Sequence, residues 1–137
     1  MNRKFYTKST LILLFALFLS ASISAQIKSG PMLGYSEMKE VLVWVQTEKA
    51  AKVEIKYWDK ESDGKIKFTS DAVLTEKKSG FIAKIIADQV SMSKKYTYEV
   101  WLDGKKINFD YPLEFQTQKL WQFRTDPPSF SFVFGSC

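Results

Sequence analysis

The sequence offers few side chains that could do chemistry. It contains no histidine and a single cysteine, Cys137. Because histidine is the commonest imidazole ligand, general base and proton shuttle near neutral pH, most hydrolytic sites cannot be built from these residues. Carboxylate pairs can act without histidine, as in glycosidases, but the acidic residues here stand singly in alternating strand patterns. We therefore expect no self-contained active site.

The first 25 residues have the pattern of a secretory signal peptide. Arg3, Lys4 and Lys8 precede an uncharged apolar run over residues 11–19, and the following stretch to Ala25 is rich in small residues. The run is shorter than the roughly 20 residues of a membrane span. We expect cleavage after Ala25 and a periplasmic or extracellular product without membrane contact, the alternatives being a neighbouring cleavage site or an uncleaved anchor.

The net charge gives no indication of a nucleic-acid partner. Three of the five net positive charges come from Arg3, Lys4 and Lys8 in the leader. The paired lysines of the remaining chain lie near predicted turns, where solvated corners explain them better than a nucleic-acid patch. We expect no nucleic-acid binding.

Beyond the leader, apolar residues recur at every second position, which is the period of β-strands. An apolar content of 45% and an aromatic content of 15% are sufficient for a packed core. We predict strands over residues 41–47, 53–57, 81–87, 96–102, 113–117 and 120–125. Asp103-Gly104 predicts a tight hairpin turn. Short strands spaced by about ten residues predict an all-β, immunoglobulin or fibronectin type III-like antiparallel β-sandwich over residues 26–127.

Two aromatic residues favour a particular type of β-sandwich, the immunoglobulin or fibronectin type III-like one. A strict two-residue alternation from Val90 to Val100 places Tyr96 where sandwiches have a tyrosine whose hydroxyl closes the corner between two strands. Trp44, on an early strand, is predicted as the core aromatic. Packing alone explains both residues, so neither indicates a function.

The pattern changes after Asp126-Pro127-Pro128. Phe130, Phe132 and Phe134 alternate with Ser131 and Val133, and the run leads into Gly135-Ser136-Cys137. A strand that follows a stiff breaker and has no successor cannot complete a core. We interpret residues 128–137 as the first strand of a truncated second domain.

Four short motifs, in this order, resemble the N-terminal part of the alkaline phosphatase D (PhoD-like) family of secreted metallophosphatases. They are Ser29-Gly30-Pro31-Met32-Leu33-Gly34, Val43-Trp44-Val45-Gln46-Thr47, Phe123-Arg124-Thr125-Asp126-Pro127 and Phe132-Val133-Phe134-Gly135-Ser136-Cys137. Purple acid phosphatases carry a similar sandwich in front of a related catalytic domain. Their catalytic strand typically opens towards an aspartate rather than Gly-Ser-Cys, which favours the first family.

The resemblance implies that Cys137 is an iron ligand, and that iron and calcium are the cofactors of the intact enzyme. Such an enzyme would hydrolyse phosphomonoesters or phosphodiesters, with metals that polarise the phosphoryl group and lower the pKa of the attacking water. The other ligands would lie downstream of Cys137, so none of this chemistry is expected in these 137 residues. A buried or accidental free thiol is the alternative for Cys137.

The strand over Val41–Val45 is apolar on both faces, so one face can fill the core while the other needs a cover. We expect the sandwich to pack on a C-terminal metallophosphatase domain through this strand region. A second hypothesis is a stand-alone exported module that binds carbohydrate or cell-surface polymer through Tyr57, Trp58, Trp101 or Trp121. A third is a complete small exported protein, in which residues 130–137 pair within the sandwich.

Overall fold

The computed structural model describes residues 26–62 and 64–135. The predicted signal peptide, residues 1–25, and the predicted iron ligand Cys137 lie outside these described residues. Within them the chain forms two antiparallel β-sheets with two short 3-10 turns, Lys60–Ser62 and Lys77–Ser79. The prediction of an all-β sandwich is therefore confirmed.

The two sheets are formed by nine strands of the described chain. The first sheet has the order β1-β2-β6, with β1 (Ile27–Ser36), β2 (Val41–Thr47) and β6 (Ile82–Ala87). The second sheet is centred on the long pair β3 (Lys52–Asp59) and β7 (Lys95–Leu102). Four short strands complete it: β4 (Phe68–Thr69) and β5 (Val73–Leu74) beside β3, and β8 (Lys105–Lys106) and β9 (Glu114–Gln116) beside β7.

The core lies between the sheets and is filled by alternate residues of the long strands. On β2, Val41, Val43 and Val45 are fully buried. The other strands contribute Val53, Ile55 and Tyr57, then Ala83, Ile85 and Ala87, then Tyr96, Tyr98, Val100 and Leu102. Because neighbouring strand residues point to opposite faces, the residues between these positions must point away from the core.

The prediction that Trp44 is the core aromatic is wrong. Trp44 is only partly buried and lies between Val43 and Val45, whose side chains fill the core, so the alternation turns its indole to the outer face. Tyr57 is the central aromatic instead. Its ring centroid lies 5.7 Å from that of Phe68 and 6.2 Å from those of Tyr96 and Phe115.

The predicted tyrosine corner is confirmed. The backbone N–H of Ser91 donates a hydrogen bond of 2.8 Å to the Tyr96 hydroxyl, and Tyr96 is 3% exposed. The predicted alternation, which starts at Val90, is too long at its N-terminal end, however. The strand β7 begins at Lys95, and the residues before it form a turn in which Ser93 has a φ of 61°. The corner hydroxyl satisfies a backbone donor of that turn.

Replacing Tyr96 by phenylalanine should destabilise the sandwich by about 1–2 kcal/mol, because the Ser91 N–H loses its acceptor in a partly buried site. Urea unfolding of the two proteins measures the difference. Tyr111→Phe, at a side chain that is 48% exposed, is the control and should change stability little. Equal losses in both variants would show that the corner bond contributes nothing specific.

The hairpin prediction is also confirmed. Asp103 and Gly104 have φ values of 48° and 76°, and they join β7 to β8 with Leu102 opposite Lys105. Such a pair of positive φ values matches the twist of the flanking strands. The Asp103 side chain accepts a 2.8 Å hydrogen bond from the Lys52 N–H, which ties the turn to β3.

The prediction of a strand over residues 120–125 is wrong, because these residues form a turn. The N–H groups of Arg124 and Thr125 both donate to the Trp121 carbonyl, at 3.0 and 3.1 Å, and Phe123 has a φ of 60°. A short apolar run becomes a strand only where a neighbouring strand pairs with it, and here the backbone groups bond locally instead.

Where the chain leaves the sandwich, at residues 116–118, it is hydrogen-bonded to residues of both sheets or next to them. On the side of the second sheet, the Thr117 N–H donates to the Lys94 carbonyl at 3.0 Å, and the buried Thr117 hydroxyl accepts from the Lys94 N–H at 3.0 Å. On the side of the first sheet, the Ser36 hydroxyl donates to the Gln116 carbonyl and the Gln118 N–H donates to the Glu37 carbonyl. We call this set of bonds the exit clamp.

The phenylalanine-rich segment lies outside both sheets as far as residue 135. Phe130, Phe132 and Phe134 stack on one another with centroid separations of 6.5 and 6.3 Å. These rings and Val133 are between 75% and 99% exposed. The described part of the segment therefore does not complete the sandwich, which contradicts the hypothesis that it pairs there.

Candidate functional site

The outer faces of the two sheets differ in character. The second sheet exposes charged residues that pair with each other: Glu99 lies 2.8 Å from Lys106 and 3.9 Å from Lys67. Burial opposes ionisation of Glu99, but hydrogen bonds from Lys106 and Trp101 outweigh it and lower the pKa of Glu99. This face is stable in water without a partner.

The first sheet exposes an apolar surface instead. Two cross-strand rows define it, Tyr35–Leu42–Ile86 and Met32–Trp44–Lys84, and Leu33 lies beside them. Met32, Leu33 and Ile86 are 52%, 45% and 43% exposed. We call Met32, Leu33, Tyr35, Leu42, Trp44 and Ile86 the apolar face, and most of it forms one open concave patch with Lys84 at its edge.

Two glycines of β1 let the side chains of β2 lie close to its backbone. A Cβ atom at Gly30, which has a φ of 87°, would stand 2.8 Å from the Trp44 carbonyl oxygen and 3.4 Å from a carbon of the Trp44 ring. A Cβ at Gly34 would stand 2.5 Å from a methyl carbon of Leu42. The side chains of Leu42 and Trp44 are thus supported by a strand without side chains at these two positions.

This pairing explains two of the four motifs behind the family resemblance. The first motif lies in β1 and the second in β2, and Met32 pairs directly with Trp44. The sequence did not predict β1, because Gly30, Pro31 and Gly34 interrupt its alternation and the register shifts along it. The apolar pairs Met32-Leu33 and Leu42-Trp44 are the signal that could have indicated the face.

Tyr35 closes one end of the apolar face. Its hydroxyl donates a 2.7 Å hydrogen bond to Glu40 Oε1, across the turn between β1 and β2. This bond to the carboxylate raises the pKa of Tyr35, since the neutral phenol is the donor. The ring is therefore held in place while one of its sides stays open.

The aromatic residues of the binding-module hypothesis do not form one exposed row. Tyr57 is fully buried, and Trp121 lies apart in a hollow formed with residues 116–119 and Pro128. Trp58 and Trp101 share the outer face of the second sheet, but each has a lysine ammonium over its ring, at 4.1 Å and 3.5 Å. A ring covered by a cation offers no stacking surface on that side.

A second hollow lies beside Trp58 and is lined by Tyr98, Glu99, Lys106 and Phe109 among others. Burial raises the pKa of Tyr98 to about 12, so its phenol stays neutral at physiological pH. Glu99 is engaged by Lys106. The hollow thus presents a neutral phenol and a paired carboxylate, which are poor material for acid–base catalysis near neutral pH.

Metal-ligating side chains do not cluster in the part of the chain that the structure describes, where no group of three or more carboxylates and thiols could hold an ion. Cys137 lies outside that part, so the structure does not place it. Over the same residues, no helix has the length and apolar character needed to cross a bilayer.

The fold and its surfaces define a class of protein: an antiparallel β-sandwich domain with one polar and one apolar outer face. Residues 24–120, more than half of the chain, match the family described as "Domain of unknown function (DUF7800)", and the chain belongs to that family. No curated protein sequence matches it significantly.

Solved structures with a similar fold include the sensor domain of the anti-sigma factor RsgI4 in Pseudobacteroides cellulosolvens. One structure of that domain superposes with a TM-score of 0.52 at 12% identity, over 80% of this chain and 99% of that chain. A solution structure of the same sensor domain gives a TM-score of 0.49 at 12% identity, over 82% and 92%. PhoD gives 0.46 at 14% identity, over 61% of this chain and 17% of its own. At these identities the likeness concerns the fold alone.

Proposed function

We propose that the chain is the non-catalytic N-terminal β-sandwich domain of an exported metallophosphatase that resembles alkaline phosphatase D. The intact protein would hydrolyse phosphate esters at a metal centre in a domain that follows the sandwich. The observation that carries the proposal is the segment Phe130–Phe134, whose apolar side chains the sandwich leaves in solvent.

The exposure of this segment has a large energetic cost in water. Burying one phenylalanine side chain is worth roughly 1.5–3 kcal/mol, and three of them stand at 75–87% exposure. Val133, on the opposite side of the alternation, is 99% exposed. The segment carries three phenylalanines on one side and Ser131 with Val133 on the other, and a mainly apolar segment of this kind is typical of a central strand in an α/β sheet with helices on both faces. Its burial is therefore supplied by a body other than the sandwich.

The chemistry of Cys137 agrees with this assignment. As the last residue of such a strand it would project from the carboxyl end of the sheet, which is where α/β sheets bind their ligands. A thiolate is a strong ligand for iron. Iron with calcium, when bound, would polarise the phosphoryl group and activate water, while this chain contributes the thiolate alone.

The leader supports export of this protein. The basic residues, the apolar run over 11–19 and the small residues before Ala25 are those of a secretory signal peptide. A mature chain starting at residue 26 would have a single residue, Gln26, before β1, which begins at Ile27. The phosphatase would then act in the periplasm or outside the cell.

Hydrolysis of bis(4-nitrophenyl) phosphate by the intact exported protein tests the proposal, with residues 26–137 as the inactive comparison. Cys137→Ser should lower kcat/KM by about 100-fold and reduce bound iron, because an alcohol is a far weaker iron ligand than a thiolate. Ser129→Ala, outside the phenylalanine run, is the control. Absence of activity in the intact protein, or full activity and iron content in Cys137→Ser, would refute the proposal.

A further inference from the structure

The alternation along β2 decides which of its side chains can meet a partner. Val41, Val43 and Val45 are fully buried between the sheets, so they are not accessible to another body. Leu42 and Trp44 point the other way and lie on the apolar face between Met32, Tyr35 and the β6 side chains. Any partner of this strand therefore contacts the apolar face and not the valines.

We propose that the apolar face is the docking surface for the domain that follows the sandwich in the same polypeptide. This inference rests on the proposed function, because it takes that following domain as the occupant. Contiguous exposed apolar surfaces mark interaction sites, whereas the other outer face of the sandwich carries the ion pairs of Glu99, and lysine ammonium groups lie over its two indoles.

The position of the exit clamp is the argument for this occupant. The Ser36 hydroxyl holds the Gln116 carbonyl, and the Glu37 carbonyl holds the Gln118 N–H. Tyr35, the neighbour of Ser36, is the end of the apolar face. The chain thus leaves the sandwich within two or three residues of the face, and a domain continuing from there is covalently held beside it at high effective concentration.

The connection after the clamp makes the docking measurable. Lys119 and Arg124 lie between the sandwich and the phenylalanine run, and trypsin cleaves after both residue types. In the intact protein, docking of the following domain holds this connection between two packed bodies and slows cleavage. Undocking exposes it, as in the 26–137 chain, which lacks the following domain.

The test compares Ile86→Glu with Ile66→Glu in the intact protein. Both place a carboxylate at an exposed isoleucine, 43% and 63% accessible, but only the former lies on the apolar face. Ile86→Glu should speed tryptic cleavage after Lys119 and Arg124 by about tenfold or more, because a carboxylate in an apolar interface is costly to desolvate. Ile66→Glu should leave the rate unchanged.

Met32→Glu serves as the second variant, since Met32 is 52% exposed and is not part of the core. Melting curves show whether each variant keeps its sandwich folded. If both face variants are folded and are cleaved as slowly as Ile66→Glu, the docking proposal is wrong, even where phosphatase activity stands. Light scattering tests whether a second copy of the protein binds the apolar face instead. A dimer that Ile86→Glu converts to a monomer, with an unchanged rate of tryptic cleavage, would show that it does and would refute the proposal.

Discussion

Replacing Tyr57 by alanine is expected to destabilise the sandwich by about 3–5 kcal/mol, a large part of the stability of a domain of this size. Tyr57 is fully buried and its ring contacts those of Phe68, Tyr96 and Phe115, so truncation removes the centre of the aromatic cluster. Tyr57 belongs to the close-packed core, where the surrounding side chains relax only partly into a cavity. Urea and thermal unfolding of the mature chain measure the loss.

Tyr57→Phe separates the packing of the ring from its hydroxyl. The hydroxyl accepts a 3.0 Å hydrogen bond from the Gln89 N–H, so phenylalanine should cost about 1 kcal/mol while the ring contacts remain. A loss in Tyr57→Ala no larger than that in Tyr57→Phe would contradict the central role of the ring.

Replacing Gly30 by alanine is expected to cost about 2–3 kcal/mol, the second large effect. A side chain at a φ of 87° is disfavoured by itself, and the new Cβ would also meet the Trp44 carbonyl oxygen at 2.8 Å, a backbone atom that cannot rotate away. β1 would have to move away from β2. Unfolding in urea measures the total, and hydrogen exchange along β1 locates the change.

Gly104→Ala is the matched control, because Gly104 has a similar φ of 76° but nothing within 4 Å of the added Cβ. It should cost about 1 kcal/mol, which isolates the conformational contribution. If the two alanine variants lose the same stability, the close approach of β1 to Trp44 does not contribute to the free energy of unfolding. The packing explanation for the glycine in the motif over residues 29–34 would then be wrong.

Local patterns in the sequence predicted the parts of the fold that depend on local chemistry. The alternation over residues 53–57 and 96–102 indicates strands with one buried side, and Asp103-Gly104 indicates backbone angles that few other residue pairs adopt. Tyr96 was placed correctly for the same reason, since its partner Ser91 lies only five residues away.

The errors arose where the answer depends on a distant strand. The sequence does not decide which way Trp44 faces, because a run that is apolar at every position does not reveal its buried side; the structure buries Val41, Val43 and Val45. Residues 120–125 carry strand-like side chains but have no strand to pair with. The strand β1 was not predicted, because Gly30 and Gly34 interrupt the apolar alternation that indicates a strand. The reason for these two glycines is their close contact with β2, which the sequence of β1 alone does not show.

The candidate site was predictable only in part. That β2 is apolar on both faces was visible in the sequence and indicated a surface in need of a cover. The remainder of the apolar face could not be predicted, because Met32, Tyr35 and Ile86 reach it through the pairing of β1 and β6 with β2. The residue type of Trp58 and Trp101 indicated a binding surface for stacking. The sequence did not show that lysines cover their rings, because Lys56 reaches Trp101 through the pairing of β3 with β7 and Lys67 reaches Trp58 from a loop.

The exit clamp also has a mechanical consequence. The tail beyond residue 118 is bonded to the first sheet through Ser36 and Glu37 and to the second through Thr117 and the residues before β7. A pulling force on the tail is therefore divided between the two sheets, and detaching it requires bonds on both sides to break together. Tension from a neighbouring body would load the whole sandwich rather than unzip its last strand.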